Sequence, residues 1–289
     1  MVTRAFLLSV TALIVSSCSA LIDVDAQQCS TDSDCVALGA AFAGSVCEQN
    51  VCVTPAEPPG GDGGEGGGPP EIDPLACSAV ELSSEERVKF SFAPIYAAGA
   101  EPAEPKPFVI KACDQLDLEC DKPVFGPLEV NAGEPQDFLV KPGFAGYFEI
   151  KNPDTIDGLL FLGRPVNQDT LGWAITMPTP QLVAGLGLAT GEMLDPEKGF
   201  ILLVARDCEG ALLPGVTVEN SKGGLGYYFL QNLPDTTLTE TKVQGAAGFA
   251  NVPINTTVLT GVHNPSGHTL GPVSVRVKAG TLSFAEIWP

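Results

Sequence analysis

Few side chains in this sequence could do chemistry. His263 and His268 stand five residues apart inside HNPSGH, and with Tyr147, Tyr227 and Tyr228 they raise the question of a metal site, since imidazole and phenolate both ligate metals. The segment between the histidines is Asn, Pro, Ser and Gly, with no H-x-H spacing, so it reads as a turn between strands. Ser266 sits in that turn, no G-x-S-x-G elbow accompanies it, and hydrolase chemistry is not expected. Asp32 and Asp34 begin like a calcium loop, but the glycine and glutamate that an EF-hand needs are missing. Asp114, Asp117, Glu119 and Asp121 could hold calcium at a sandwich turn; the simpler reading is a solvated acidic loop closed by Cys113 and Cys120. The expectation is therefore no metal, no cofactor and no catalysis. The remaining candidates are aromatic platforms that could stack on a sugar: Trp173, Trp288, Tyr227 and Tyr228. Adjacent strand residues face opposite sides, so one of Tyr227 and Tyr228 is expected to point outward or into an interface.

Cysteines carry the other chemistry. Downstream of Cys18 lie Cys29, Cys35, Cys47, Cys52, Cys77, Cys113, Cys120 and Cys208, an even set that can close four disulfides. Zinc is the competing use, but no C-x2-C pair occurs and the two histidines are far from the cysteine-rich block. The first four cysteines crowd into CSTDSDCVALGAAFAGSVCEQNVC, too short to build a core, where two bridges would supply stability instead. Three connectivities fit this block. An interleaved pairing of Cys29 with Cys47 and Cys35 with Cys52 is the preferred one.

Composition bounds the partners. Asp and Glu number 35 against 15 Lys and Arg, a net charge of −20, which excludes the basic footprint of a nucleic-acid binder. No Lys or Arg occurs between Arg4 and Arg87, and TPAEPPGGDGGEGGGPPEIDP within that interval is a Gly, Pro and acid tether. A flexible chain of about 20 such residues spans roughly 25 Å.

The elements that must position these residues are strands. After Leu75 short apolar or alternating runs are bounded by Gly, Pro and Asp, at Val88–Phe92, Phe108–Ala112, Phe138–Val140, Tyr147–Lys151, Leu159–Leu162, Gly199–Arg206, Val216–Val218, Gly226–Leu230, Thr237–Val243, Gly248–Val252, Thr257–Val262, Pro272–Lys278 and Thr281–Ile287. Pro180–Ala189 is the one stretch with helical character, and Gly185 and Gly187 limit it to a short turn of helix. The fold class expected is all-β: two tandem immunoglobulin-like or transthyretin-like β-sandwiches after a small disulfide knot and a flexible linker. The divisions are a signal at 1–18, a cysteine-rich knot at 19–53, a linker at 54–76, a first sandwich at 77–190 and a second at 199–289. Gly146-Tyr147-Phe148-Glu149-Ile150 and Gly226-Tyr227-Tyr228-Phe229-Leu230 hint at an internal duplication.

Two stretches resemble known families. Met1–Cys18 has one basic residue, an apolar run too short to span a bilayer, and Val15-Ser16-Ser17-Cys18 at its end. It is similar to bacterial lipoprotein signal peptides, whose lipobox ends in such a cysteine. The resemblance implies that Cys18 becomes the first mature residue and carries acyl chains, making a membrane the partner at this end. Ser19 leans the implied location toward the outer membrane or cell surface. With Asp34-Cys35 and Cys52-Val53, the four-cysteine block is similar to knots of surface lipoproteins of the myxobacterial type. Residues 200–289 carry Val204-Ala205-Arg206-Asp207, Leu213-Pro214-Gly215-Val216-Thr217-Val218, a Thr241 to Gly248 run and Phe249-Ala250-Asn251-Val252-Pro253. They resemble the carboxypeptidase regulatory-like, transthyretin-like domain, grouped with carbohydrate-binding-like folds. The function implied is a lipid-anchored, non-enzymatic envelope protein presenting sandwiches to a carbohydrate or protein ligand, or serving as a structural spacer. A metal-dependent enzyme on such a sandwich is the remaining alternative.

Overall fold

The computed structural model describes residues 31, 33, 46–48, 51–53, 75, 77, 82–97, 101–231 and 233–289. Cys18, Cys29, Cys35 and the linker at 54–74 lie outside the described residues, as does the pairing within the knot. The chain forms two units. In the smaller, β1 (Val46–Glu48) and β2 (Val51–Val53) make an antiparallel hairpin with Cys47 opposite Cys52, and Cys47 is disulfide-bonded.

The larger unit is all-β, and its organising element is one nine-stranded sheet to which both halves of the chain contribute. The first half supplies β4 (Phe108–Cys113), β5 (Phe125–Val130), β7 (Tyr147–Lys151) and β8 (Gly158–Phe161). The second supplies β10 (Gly199–Ala205), β12 (Leu225–Leu230), β13 (Leu233–Asp235), β14 (Ala246–Val252) and the last strand, β17 (Leu282–Ile287). The order across the sheet is β13-β12-β14-β10-β17-β8-β7-β4-β5. β17 thus lies at the seam, parallel to β10 on one side and to β8 on the other.

Both expected sandwiches are present, each a three-stranded sheet stacked on part of the shared one. β3 (Val88–Tyr96), flanked by β6 (Gln136–Val140) and β9 (Thr170–Met177), covers the first half. Phe90, Phe92, Phe138 and Phe148 fill that core, with Phe92 and Phe138 stacked at 4.7 Å and Phe90 and Phe148 at 5.3 Å. Each such pair contributes about 0.5–1.5 kcal/mol beyond its buried area. The second half is covered by β15 (Asn255–His263), flanked by β11 (Val216–Asn220) and β16 (His268–Val277). Leu259, Leu270, Val275 and Val277 pack there on Ile201, Leu203, Ala247 and Ile287.

Pairing fixes which face each cover occupies. Leu159 pairs with Ser283, which pairs with Ile201, and these face the second core; Leu160 and Phe284, one residue along, face the opposite side with the first core. The two covers therefore lie on opposite faces of the sheet. Tyr147, Leu159 and Phe161 of the first half belong to the core of the second. Strands near the seam have both faces buried, which is why GLLF and GFILLVA read as continuous apolar runs and LSFAEI as a largely apolar one rather than as alternations.

Several elements differ from the sequence reading. Pro180–Thr190 is a full helix, α1, of 11 residues. Thr179 caps it, its Oγ1 accepting from the Leu182 N–H, Pro180 opens it, and Gly191 closes it in the left-handed conformation at φ 74°. Burial of Val183 and Leu186 against Phe200, Tyr227 and Phe229 outweighs the two glycines, which cost about 1 kcal/mol each. Thr237–Val243 is not a strand. Thr241, fully buried, turns its hydroxyl to the backbone instead, accepting from Val216 N–H and donating to Leu213 C=O, both at 2.9 Å. In the larger unit β5, β9 and the three-residue β13 have no counterpart in the sequence reading; β5 is an edge strand carrying Gly126-Pro127, and Pro weakens the strand signal there.

Candidate functional site

Of the four aromatic residues proposed as a platform, the three whose side chains are described are buried. Tyr227 is 2% exposed, Tyr228 9% and Trp288 8%. The tyrosines do point to opposite faces of β12, but both faces are covered. Tyr228 enters the second core, where its hydroxyl accepts from Val218 N–H at 3.0 Å. Tyr227 lies beneath α1, edge-on to Phe229. Burial pushes both phenols above their ordinary pKa. The Trp173 side chain lies outside the described residues.

The remaining sequence candidates resolve into local structure. His263 and His268 face each other across the β15–β16 hairpin, and His263 Nδ1 contacts Ser266 Oγ at 2.7 Å within the turn. No group of three or more His, Cys, Asp or Glu able to hold a metal occurs among the described residues. The acidic loop is closed by Cys113–Cys120. Its carboxylates are used separately: Asp114 accepts from Leu116 N–H at 2.9 Å, Asp117 from Lys122 N–H at 2.8 Å, and Glu119 pairs with Arg276 of β16 at 3.2 Å and with Lys278, just beyond that strand, at 3.1 Å. Glu119 thereby ties a first-half loop to a second-half strand. Lys278 and Arg276 hold its carboxyl below the usual range. Cys77 bonds Cys208, joining the residue after the linker to the loop that follows β10.

What the sequence reading missed is a cavity of about 300 Å³ at the carboxyl ends of the parallel strands β8, β17 and β10. The loop after β8 supplies Arg164, that after β10 supplies Arg206 and Glu209, and β17 with its C-terminal extension supplies Glu286 and Trp288. Glu286 is 4% exposed and pairs with Arg206 through Nε; Arg206 Nη1 also donates to Gly210 C=O at 2.7 Å. Burial raises the Glu286 pKa, and Arg206 opposes the rise. The Trp288 indole N–H donates to Leu162 C=O at 3.3 Å, while the Arg164 guanidinium lies 3.6 Å from its ring centroid.

Two local features shape the site. Gly163 has φ +70°, and a side chain there would run into the Glu286 carbonyl and the Trp288 ring, so only glycine lets the Arg164 loop pass so close to β17. Asp207 Oδ1 accepts from Glu209 and Ala211 N–H at 3.0 and 2.8 Å, fixing the opposite wall. A sequence signal existed: Arg206 and Glu286 terminate or interrupt runs that are otherwise largely apolar, and charges in such strands must be paired.

No family model matches the chain, and no curated protein matches it. Among solved structures, a streptococcal ancillary pilin aligns at 10% identity over 69% of this chain and 68% of that one, with a TM-score of 0.24. The minor pilin GBS52 of Streptococcus agalactiae aligns at 15% identity over 69% and 95%, TM-score 0.23. The shaft pilin SpaA of Lactobacillus rhamnosus GG aligns at 14% identity over 70% and 96%, TM-score 0.21. At these scores the likeness carries no argument, and the sandwiches are read from the topology itself.

Proposed function

We propose that this chain is a non-enzymatic cell-envelope protein, held to a membrane by acyl chains on Cys18 and presenting its two joined sandwiches to a protein partner. The observation that carries this reading is the shared nine-stranded sheet, whose seam strand β17 is hydrogen-bonded to both halves. Such a joint suits a body that must project as a unit from a tether, since two domains on a free linker would reorient independently. Cys77–Cys208 supports it, because the linker enters the body at a covalent staple rather than at a frayed strand. The sequence resemblances to a lipoprotein signal and to a regulatory-like sandwich belong to the same reading, as does an outer-membrane or cell-surface location. Burial of Tyr227, Tyr228 and Trp288 favours a protein over a stacked sugar as the partner. Labelling cells with a palmitate analogue tests the anchor. The wild type should carry label and fractionate with membranes, and Cys18→Ala should lose both properties; an unlabelled wild-type protein would refute it.

A further inference from the structure

The cavity at the ends of β8, β17 and β10 holds four charged groups, and they are not equivalent. Arg206 and Glu286 satisfy each other in the buried wall. Arg164 and Glu209 sit exposed at the rim. Arg164 presents one face to Trp288, yet its N–H groups donate to no acceptor among the described residues, and the Glu209 carboxylate likewise accepts from none. Arg164, attracted by Glu286 but with its N–H groups unused, and Glu209 thus border a single cavity whose other walls include the apolar Leu162, Val166 and Phe90. The cavity, about 300 Å³, stands at the small end of the range for ligand sites.

We infer that this cavity binds a zwitterionic amino acid with an apolar side chain, its carboxylate on the Arg164 guanidinium, its ammonium on the Glu209 carboxylate and its side chain against Leu162 and Val166. The chemistry follows from complementarity. A planar guanidinium already held flat by an indole offers a preorganised fork to a carboxylate. A ligand lacking an ammonium would leave the Glu209 carboxylate without a donor at the rim. The Cys77–Cys208 bond and the Asp207 turn hold the Glu209 backbone, and Gly163 holds the backbone before Arg164, so the chain carrying the two charges is set before a ligand arrives. The inference goes beyond anchored presentation and does not depend on it, since it concerns the folded body alone.

Calorimetric titration of the full chain tests it, with leucine as probe beside N-acetyl-leucine, which lacks the ammonium, and leucinamide, which lacks the carboxylate. Leucine should bind saturably at one site, and each analogue should bind about tenfold or more weakly, the usual worth of a charged hydrogen bond. Arg164→Gln should weaken leucine to the level of leucinamide while leaving leucinamide unchanged. Glu209→Gln should do the same with respect to N-acetyl-leucine. Both residues are exposed, and near-ultraviolet circular dichroism reports whether each variant keeps the native fold. Absence of saturable leucine binding to the wild type overturns the inference. So does leucinamide binding as tightly as leucine, or a folded Arg164→Gln variant that binds leucine like the wild type. Any of these results would leave anchored presentation standing.

Discussion

Removing the bond between Cys77 and Cys208 should be among the most damaging changes that leave the packed core untouched. The two cysteines are 131 residues apart, and the loop they close runs from the start of the first half into the second. Closing a loop of that length in the unfolded chain is worth about 5 kcal/mol at 25 °C on the chain-entropy relation. Cys77 is exposed and Cys208 half-buried, so Cys77→Ala/Cys208→Ala loses the cross-link and little packing. At about 2–4 °C per kcal/mol for a body of this size, the melting temperature should fall by about 10–20 °C. The assay is calorimetric melting of the double variant and of each single variant. Because the bond rather than either side chain carries the effect, the three should melt together. A double variant within about 3 °C of the wild type, or single variants that differ widely from the double, would refute the reasoning.

Three further outcomes follow from individual residues. Burial pushes the Tyr147 phenol up to about 12, with nearby carboxylates adding to the rise; its stabilising effect is whole below pH 10 and lost as pH climbs toward 12, so phenolate absorbance should lag behind free tyrosine and then appear together with unfolding. Glu119 has a lowered pKa, so the stability it contributes is whole above pH 4.5 and is lost as pH falls through the depressed value; Glu119→Gln should flatten the acid limb of the melting profile, seen as a smaller difference in melting temperature between pH 5 and pH 3. At Gly248 a side chain would collide with the Tyr227 ring beneath α1, and Gly248→Ala should destabilise by about 1–3 kcal/mol, measured by urea unfolding.

Much of the fold was legible because flanking strands announce themselves. The second part of β16 alternates Val273, Val275 and Val277 inward with Ser274 and Arg276 between, a period of two that is plain in the sequence. The seam strands signalled something else, since Gly158–Phe161 and Leu282–Ile287 carry apolar residues toward both faces, but no rule of periodicity says that strands so far apart in sequence lie side by side. That non-local pairing joins what sequence order separates. It also explains why the tyrosine pair misled: alternation places Tyr227 and Tyr228 on opposite faces, and only the tertiary cover of α1 buries the outer one. The cavity was illegible for the same reason. Arg164, Arg206 and Glu286 meet only where three parallel strands end, although Glu286 inside LSFAEIWP already demanded a buried partner.

The central claim is that β17 binds the two halves into one cooperative body. Hydrogen exchange of the wild type under increasing denaturant tests it directly, comparing Phe148 and Ile150 in β7 with Ile201 and Leu203 in β10, all buried at the centres of their strands. In one cooperative body these amides merge into one unfolding isotherm with a common free energy and slope. Separate isotherms, in which β7 opens at a denaturant concentration that leaves β10 protected, would contradict it.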